Sequence, residues 1–141
     1  MTRILGDDWL LPGLDDTNRA WFTRGRVCIQ ECEACREVQH PPEVVCHACG
    51  SDVFGFRDSA GMGRIESFAV VRHPVHPKLA DRCPYTVLVV SLDDIPGVHV
   101  VGNLRGDPEA ALEVGQAVRA VFERVEDPDG GTLEIPQWEL V

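Results

Sequence analysis

Basic residues are scarce in this sequence of 141 residues, and long apolar runs are absent. Lys78 is the only lysine, and 13 basic residues face 23 acidic ones, for a net charge of −10. Such a surface repels nucleic acid at long range, so we expect no nucleic-acid partner. The longest apolar runs, at 68–71 and 87–90, are far too short to span a membrane, so we expect no membrane segment.

An apolar leader is also absent from the first residues. Met1 is followed within a few positions by Asp7 and Asp8, where a signal peptide would need its apolar stretch. We therefore expect a cytoplasmic protein. In that compartment free thiols and metal thiolates are favoured over disulfides, which bears on the reading of six cysteines.

Catalytic motifs are missing as well. The sequence has no nucleotide-binding glycine loop, no GxSxG and no HExxH. Cys83 could act as a nucleophile with His73 or His76, but residues so close in one loop rarely form a rigid pair. His73 and His76 could also be metal ligands, although the prolines beside them favour an extended connection. The pattern does not indicate an enzyme that acts alone.

Four cysteines occur in two close pairs. Cys32-x-x-Cys35 and Cys46-x-x-Cys49 are separated by ten residues. Each pair forms a tight turn that directs two sulfurs at one point, and two such turns make a tetrahedral thiolate site. This pattern predicts one structural metal ion, zinc before iron. Four protein ligands close the coordination sphere, so the metal has no open position for a substrate.

Other interpretations of the cysteines remain open at this point. They are disulfides, a redox Cys-x-x-Cys, unlinked core cysteines, or an iron site that carries electrons. His47 lies inside the second pair, but as a ligand it would break the all-cysteine arrangement. Cys28 is expected to be a small buried residue in a strand.

The remaining pattern predicts a mainly β protein in three parts. Residues 1–26 form an N-terminal helical arm, with Asp15 or Asp16 as the N-cap and Gly25 at the end. Residues 27–56 form a rubredoxin-like zinc ribbon, and residues 57–141 form a five-stranded barrel. The predicted barrel elements are strands at 64–72, 85–92 and 98–104, a helix at 108–113, and strands at about 117–125 and 132–140.

That order of elements is the order of an OB-fold. Gly115 argues against a longer helix, and Pro136 predicts that the last strand lies at an edge or contains a bulge. Trp9, Trp21 and Phe22 are a large apolar load for the short arm. They pack either on the rest of this chain or on a partner.

The whole pattern resembles the bacterial and archaeal family that joins a rubredoxin-like zinc ribbon to an OB-fold and accompanies thiolase-superfamily enzymes. The matching pieces, in chain order, are Thr23-Arg24-Gly25-Arg26, Cys32-x-x-Cys35, His40-Pro41-Pro42, Cys46-x-x-Cys49-Gly50, Gly61-x-Gly63-x-Ile65, Pro84-Tyr85, Gly97, Gly102-Asn103-Leu104, and Val114-Gly115 before Val118.

The resemblance implies a non-catalytic accessory subunit of a thiolase, an acyltransferase or an aldolase that shortens acyl-CoA side chains, including those of steroids. The enzyme partner would carry the catalytic residues, and this chain would support assembly and acyl-CoA binding. Candidate contacts to CoA are Arg72, Lys78 and Arg82. Candidate contacts to the partner are Trp9, Trp21, Phe22, Arg24 and Arg26. The alternative is a nucleic-acid-binding module, because zinc ribbons and OB-folds both serve that role.

Overall fold

The N-terminal arm contains one short helix. The computed structural model describes residues 3–141, and helix α1 spans Arg19–Thr23. Its N-cap is Asn18, so the prediction of an aspartate cap was wrong. The Asp15 carboxylate instead accepts the backbone N–H groups of Thr17 and Asn18 in the turn before the helix. Gly25 follows the helix with φ 65°, the left-handed conformation that ends a helix.

A small antiparallel sheet follows the arm. Its strands are β1 (Cys28–Cys32), β2 (Val38–Gln39) and β3 (Phe54–Asp58), in the order β2-β1-β3. All five residue pairs of β1 and β3 are in register, from Cys28 with Asp58 to Cys32 with Phe54. The first cysteine pair begins at the last residue of β1, and the second pair lies in the loop between β2 and β3.

A five-stranded barrel forms the rest of the chain. Its strands are β4 (Met62–Val71), β5 (Tyr85–Leu92), β6 (His99–Asn103), β7 (Ala117–Glu126) and β8 (Thr132–Leu140). They run in the order β6-β5-β4-β7-β8, and a parallel bridge between Leu104 and Trp138 brings the two edges together. This is the predicted OB-fold. Pro136 lies on β8 at one end of the sheet order, as predicted for a strand that carries proline.

The connection between β6 and β7 contains no helix, so the prediction of a helix at 108–113 was wrong. The Asp107 side chain accepts the backbone N–H of Glu109, which makes a turn. Further along, Gly115 donates its N–H to the Ile65 carbonyl, and Ile65 donates to the Gln116 carbonyl. The segment therefore pairs with β4 beside a bulge between Ile65 and Ser67, and its backbone groups are no longer available to a helix.

One apolar core joins the three parts. Trp21 from the arm and Val27 and Ile29 from the ribbon belong to the same cluster as Leu88 and Trp138 of the barrel. Ile29, Leu88 and Trp138 have no exposed surface. The arm and ribbon therefore share a hydrophobic core with the barrel. The predicted division at 26/27 and 56/57 stays a prediction.

Close backbone contact at the start of β4 requires glycine. A Cβ on Gly63 would lie 2.5 Å from the carbonyl oxygen of Ser91 on β5, and a real side chain cannot approach backbone so closely.

Among residues 3–141, no helix is long and apolar enough to cross a bilayer.

Candidate metal centre

Two chain turns of the same geometry hold the four paired cysteines. In the first, Arg36 donates its N–H to the Cys32 carbonyl, and in the second Gly50 donates to the Cys46 carbonyl, each over 2.9 Å. Both donors are left-handed, Arg36 with φ 64° and Gly50 with φ 76°. We call these turns knuckles: the first comprises residues 32–37 and the second residues 46–51. The glycine of the second knuckle was recognised from the sequence, but the equivalent role of Arg36 carries no sequence signal.

The two knuckles bring four sulfurs together. Cys32 and Cys49 are 3.6 Å apart between their Sγ atoms, as are Cys35 and Cys46, and all four Sγ atoms lie within 4.8 Å of one another. A zinc ion with bonds of about 2.3 Å needs sulfurs about 3.8 Å apart in a tetrahedron. The sulfur positions therefore fit one tetrahedral metal ion.

The electrostatics of the cluster also point to a cation. Backbone N–H groups, first that of Cys35, lower the pKa of the Cys32 thiol to about 6. A backbone N–H of Glu37 lowers the pKa of Cys35, but burial and the neighbouring sulfurs outweigh it and raise that pKa to about 12. Four thiolates at this spacing repel one another, and a divalent cation removes that repulsion.

Two buried glutamines fasten the second knuckle to the ribbon sheet. Gln39 donates from Nε2 to Gln30 Oε1 over 2.8 Å and accepts the backbone N–H of His47 over 3.0 Å. Gln30 in turn donates to the Glu43 carbonyl and accepts the Glu43 N–H. These bonds hold the loop that carries Cys46, and sequence reasoning missed both glutamines because glutamine is usually exposed.

The other candidate ligands lie outside the cluster. His47 is exposed, and its Nε2 is 4.0 Å from a Glu37 carboxylate oxygen. Cys28 is fully buried, as expected, and burial raises its pKa. His76, a candidate base for Cys83, packs edge-on against Trp9 and accepts the Lys78 N–H at Nδ1. Within the described part of the chain, the sulfur cluster is the one group of three or more histidine, cysteine or acidic residues placed to hold a metal.

The candidate CoA contacts have separate neighbours. Arg72 forms an ion pair with Glu109 at 2.8 Å, and Lys78 donates to the Asp8 carbonyl. Arg82 lines a cavity beside the arm. The structure thus shows different local contacts for the three side chains, and their role toward CoA stays a prediction.

The candidate partner contacts differ in exposure. Trp21 is only 7% exposed and packs at a tilt against His40 with ring centroids 4.4 Å apart, so this side chain belongs to the chain's own core. Phe22 is half-buried against the same core. Arg24 lies over the Phe56 ring at 4.8 Å, and Arg26 pairs with Asp58 across exposed surface. Of the two alternatives for Trp21, packing on this chain is the one that the structure shows, and the role of all these residues toward a partner stays a prediction.

Comparison with curated proteins finds relatives whose names describe subunits of hydratases for CoA thioesters. The chain is 36% identical over 110 residues to the probable enoyl-CoA hydratase alpha subunit of Thermomonospora curvata, covering 76% of this chain and 33% of that protein. It is 31% identical over 104 residues to the 3-oxo-4,17-pregnadiene-20-carboxyl-CoA hydratase alpha subunit of Mycobacterium tuberculosis, covering 73% of this chain and 29% of that protein. The chain spans about a third of the length of these relatives.

Solved structures share the fold. One, described as Ltp2-ChsH2(DUF35) aldolase, has a chain that is 34% identical with a TM-score of 0.74, covering 92% of this chain and 98% of that chain. Another is a protein of unknown function from the DUF35 family of Sulfolobus solfataricus. It is 14% identical with a TM-score of 0.52, covering 84% of this chain and 78% of that chain, and it shows the fold alone.

Family models match both structured parts. The model of the ChsH2 rubredoxin-like zinc ribbon domain matches residues 22–55, and that of the ChsH2 C-terminal OB-fold domain matches residues 56–123. The two models adjoin, and together with the solved relative they confirm the family resemblance inferred from the cysteines and glycines. The chain belongs to the ChsH2 (DUF35) family of zinc-ribbon and OB-fold proteins.

Proposed function

We propose that this chain is a non-catalytic accessory subunit of a thiolase-fold aldolase that shortens an acyl-CoA side chain. The observation that carries the proposal is the match, over 98% of its length, to a chain of the Ltp2-ChsH2(DUF35) aldolase. The match also extends over 92% of this chain. A thiolase or a thiolase-like acyltransferase is the less favoured partner, because the solved relative is described as an aldolase.

The metal centre supports a structural role in this proposal. Cys32, Cys35, Cys46 and Cys49 bind zinc in preference to iron, and four thiolates leave no position for substrate or water. Zinc would supply a cross-link that a ribbon of about 30 residues needs in order to fold. The chain's contribution to catalysis is then indirect, through the surface that it presents to the enzyme.

The substrate of the complex is an acyl-CoA, and a steroid side chain is the favoured acyl group. This inference uses the names of the curated relatives, one of which is a hydratase for a pregnadiene-carboxyl-CoA. Hydratase activity is not transferred to this chain, because about two thirds of each relative lies outside the match. Arg72, Lys78 and Arg82 remain the candidate CoA contacts.

The geometry does not favour the nucleic-acid alternative. Such a module needs exposed aromatic rings next to basic side chains. Trp138, the largest aromatic residue of the barrel, has no exposed surface, and Phe122 is half-buried against the core. A net charge of −10 also opposes the long-range attraction that supports strong binding to nucleic acid.

Co-expression with the thiolase-fold aldolase of the same organism tests the main proposal. We expect one hetero-oligomeric peak in size-exclusion chromatography, with cleavage of acyl-CoA by the complex and not by either protein alone. Full activity of the enzyme without this chain would overturn the proposal, and so would turnover by this chain alone.

Charge reversal at the arm tests the proposed contact surface. Arg24→Glu combined with Arg26→Glu should weaken the complex while zinc content and thermal stability stay close to those of the parent. The matched control is Arg57→Glu with Arg64→Glu, which makes the same change in net charge at two other exposed arginines. Equal weakening by both pairs would exclude the arm as a specific contact.

A further inference from the structure

A cavity between the arm and one end of the barrel is lined by arginine. Its volume is about 290 Å³, and its lining includes Arg3, Arg82 and Arg105 together with Thr86 and Tyr85. No acidic side chain among residues 3–141 contributes to the lining. In a chain with a net charge of −10, three guanidinium groups around one cavity make a local concentration of positive charge.

Arg3 is a buried cation that lacks a carboxylate partner among residues 3–141. It is 7% exposed, and its Nη atoms donate to the backbone carbonyls of Trp9 and Leu10. Its Nε has no hydrogen-bond partner among the described residues. Burial of a charge costs free energy unless an opposite charge compensates it, so an anion is the missing partner.

Two further groups can donate a hydrogen bond to such an anion. Thr86 is 1% exposed, and its Oγ1 has no partner within the described chain. A buried hydroxyl without a partner is unfavourable in the free protein. Arg82 is exposed and forms no ion pair with a described residue. The backbone of the arm packs against the Arg82 guanidinium group, because a Cβ on Gly6 would lie 2.9 Å from Arg82 Nε.

The charge balance favours a dianion. Arg105 lies 3.6 Å from the Glu123 carboxylate, which offsets one of the three positive charges. Asp8, an acidic residue near Arg82, is exposed and does not line the cavity. Two positive charges remain, and planar guanidinium groups match the oxygens of a phosphate group.

We propose that this cavity binds a phosphate group in its dianionic form, held by the guanidinium groups of Arg82, Arg3 and Arg105 and by the Thr86 hydroxyl. The phosphate comes either from free inorganic phosphate or from a phosphate monoester such as the 3′-phosphate of CoA. The site is formed by this chain alone, so it does not depend on the proposed function. Only the assignment to CoA rests on that function.

Titration calorimetry of the metal-loaded chain with inorganic phosphate tests the site. Binding should be stronger at pH 8 than at pH 6, because phosphate gains its second charge over this range. Arg82→Gln should weaken binding by about 10- to 100-fold, the range for one charge-assisted hydrogen bond. The matched control is Arg119→Gln, which removes one exposed arginine of β7 that does not line the cavity. Equal weakening by both changes, or no binding by the parent at millimolar phosphate, would overturn the proposal.

Thr86→Val separates binding from folding. Valine has nearly the shape of threonine and removes a hydroxyl that lacks a partner, so the free protein should be as stable as the parent or more stable. Phosphate affinity should nevertheless fall severalfold. Unchanged affinity in a folded Thr86→Val protein would remove this residue from the site and contradict the proposal as stated.

Competition identifies the source of the phosphate. If the natural ligand is CoA, then CoA should displace inorganic phosphate and dephospho-CoA should not, because the two differ only in the 3′-phosphate. If neither compound competes, the first titration still establishes the site and its ligand is inorganic phosphate. Equal displacement by CoA and dephospho-CoA would show that the 3′-phosphate is not recognised, and would overturn the CoA assignment.

Discussion

The four ligand cysteines differ in burial, and the difference follows from their place in each knuckle. Cys32 and Cys46 open the knuckles and are buried, with 0% and 3% of their surface exposed, whereas Cys35 and Cys49 close them and are exposed. A metal in this cluster therefore lies at the surface on one side and against the ribbon sheet on the other. The buried pair should be the more sensitive to replacement.

Cys46→Ser should lose the metal and unfold the ribbon. Metal binding and folding are coupled in such sites, with apparent binding energies of about 10–16 kcal/mol at neutral pH. Metal analysis and limited proteolysis of residues 27–56 measure the two effects. Cys28→Ser is the matched control, because Cys28 is equally buried but lies outside the cluster, and it should keep the metal. Stoichiometric metal in Cys46→Ser would show that the ligand set is wrong.

His40 should make the protein less stable in acid. Burial lowers its pKa to about 4, and its Nδ1 has no partner among residues 3–141. Above its unfolded pKa of about 6.5 the histidine is neutral in both states, so it does not oppose folding. As the pH falls toward 4, only the unfolded chain takes up the proton, and about 2–3 kcal/mol of stability is lost.

His40→Phe should remove that loss while it keeps a ring against Trp21. Urea unfolding of both proteins at pH 7 and pH 4.5, with metal content followed in parallel, isolates the histidine from acid release of the metal. If both proteins lose the same stability between these pH values, His40 is not the group responsible.

At the scale of elements, the two knuckles perform the same task with different residues. Each needs a left-handed residue directly after its second cysteine, and the chain uses Gly50 in one and Arg36 in the other. For a residue with a Cβ, this left-handed conformation costs about 1–2 kcal/mol. The ion pair of Arg36 with Glu31 is 3.7 Å long and 71% exposed on the arginine side, so it compensates little of that cost.

Arg36→Gly should therefore stabilise the ribbon by about 1 kcal/mol, and Gly50→Ala should destabilise it by a similar amount. Thermal unfolding of the metal-loaded proteins measures both changes. The direction of each change is the key result, because the effect of glycine on the entropy of the unfolded chain alone would destabilise Arg36→Gly and stabilise Gly50→Ala. Destabilisation by both would contradict the equivalence of the knuckles.

The segment 107–116 shows how a local signal for a helix loses to neighbouring contacts. Asp107, Pro108 and Glu109 are a favourable helix start, but the Ile65 carbonyl on β4 accepts one hydrogen bond from Gly115, and the Ile65 N–H donates one to the Gln116 carbonyl. Only a few residues then remain between the turn at Asp107 and this pairing. A helix of so few residues is only marginally stable by itself, so the segment pairs with β4 instead.

At the scale of the whole molecule, Glu123 connects the arm to the barrel. This carboxylate is 2% exposed, accepts the Ile4 N–H over 2.6 Å and lies 3.6 Å from Arg105. Gln137 donates to it from β8 and accepts the Asn103 N–H. The same contacts position the residues that line the proposed phosphate cavity, so the arm, the barrel end and the cavity form one unit.

Glu123→Gln should loosen the arm. It removes the negative charge beside Arg105, and because the Arg105 side chain is 25% exposed, the cost is smaller than the ~3–5 kcal/mol of a fully buried ion pair. Limited proteolysis should then cleave within residues 3–12 more rapidly, with lower stability in urea and unchanged metal content. Glu126→Gln, an exposed change on the same strand, is the matched control. Equal protease resistance in the two variants would show that the arm is held by its apolar contacts alone.

The sequence by itself identified the candidate metal ligands, the order of ribbon and barrel along the chain, and most of the barrel strands. The bounds predicted for the strands at 85–92 and 132–140 agree with the structure, because each segment begins directly after turn formers and the first is rich in β-branched residues. The cysteine spacing is equally local, since two residues between a pair of cysteines allow both sulfurs to face one metal ion.

Only the tertiary structure decided the rest, because the deciding contacts join residues far apart in the chain. Trp21 became a core residue through packing on His40, and the segment at 108–113 did not form a helix because the chain after it pairs with Ile65. The cavity of Arg3, Arg82 and Arg105 depends on such contacts entirely. Charge and apolarity can be read from a sequence, but the partner of a buried charge depends on which segments the fold brings together.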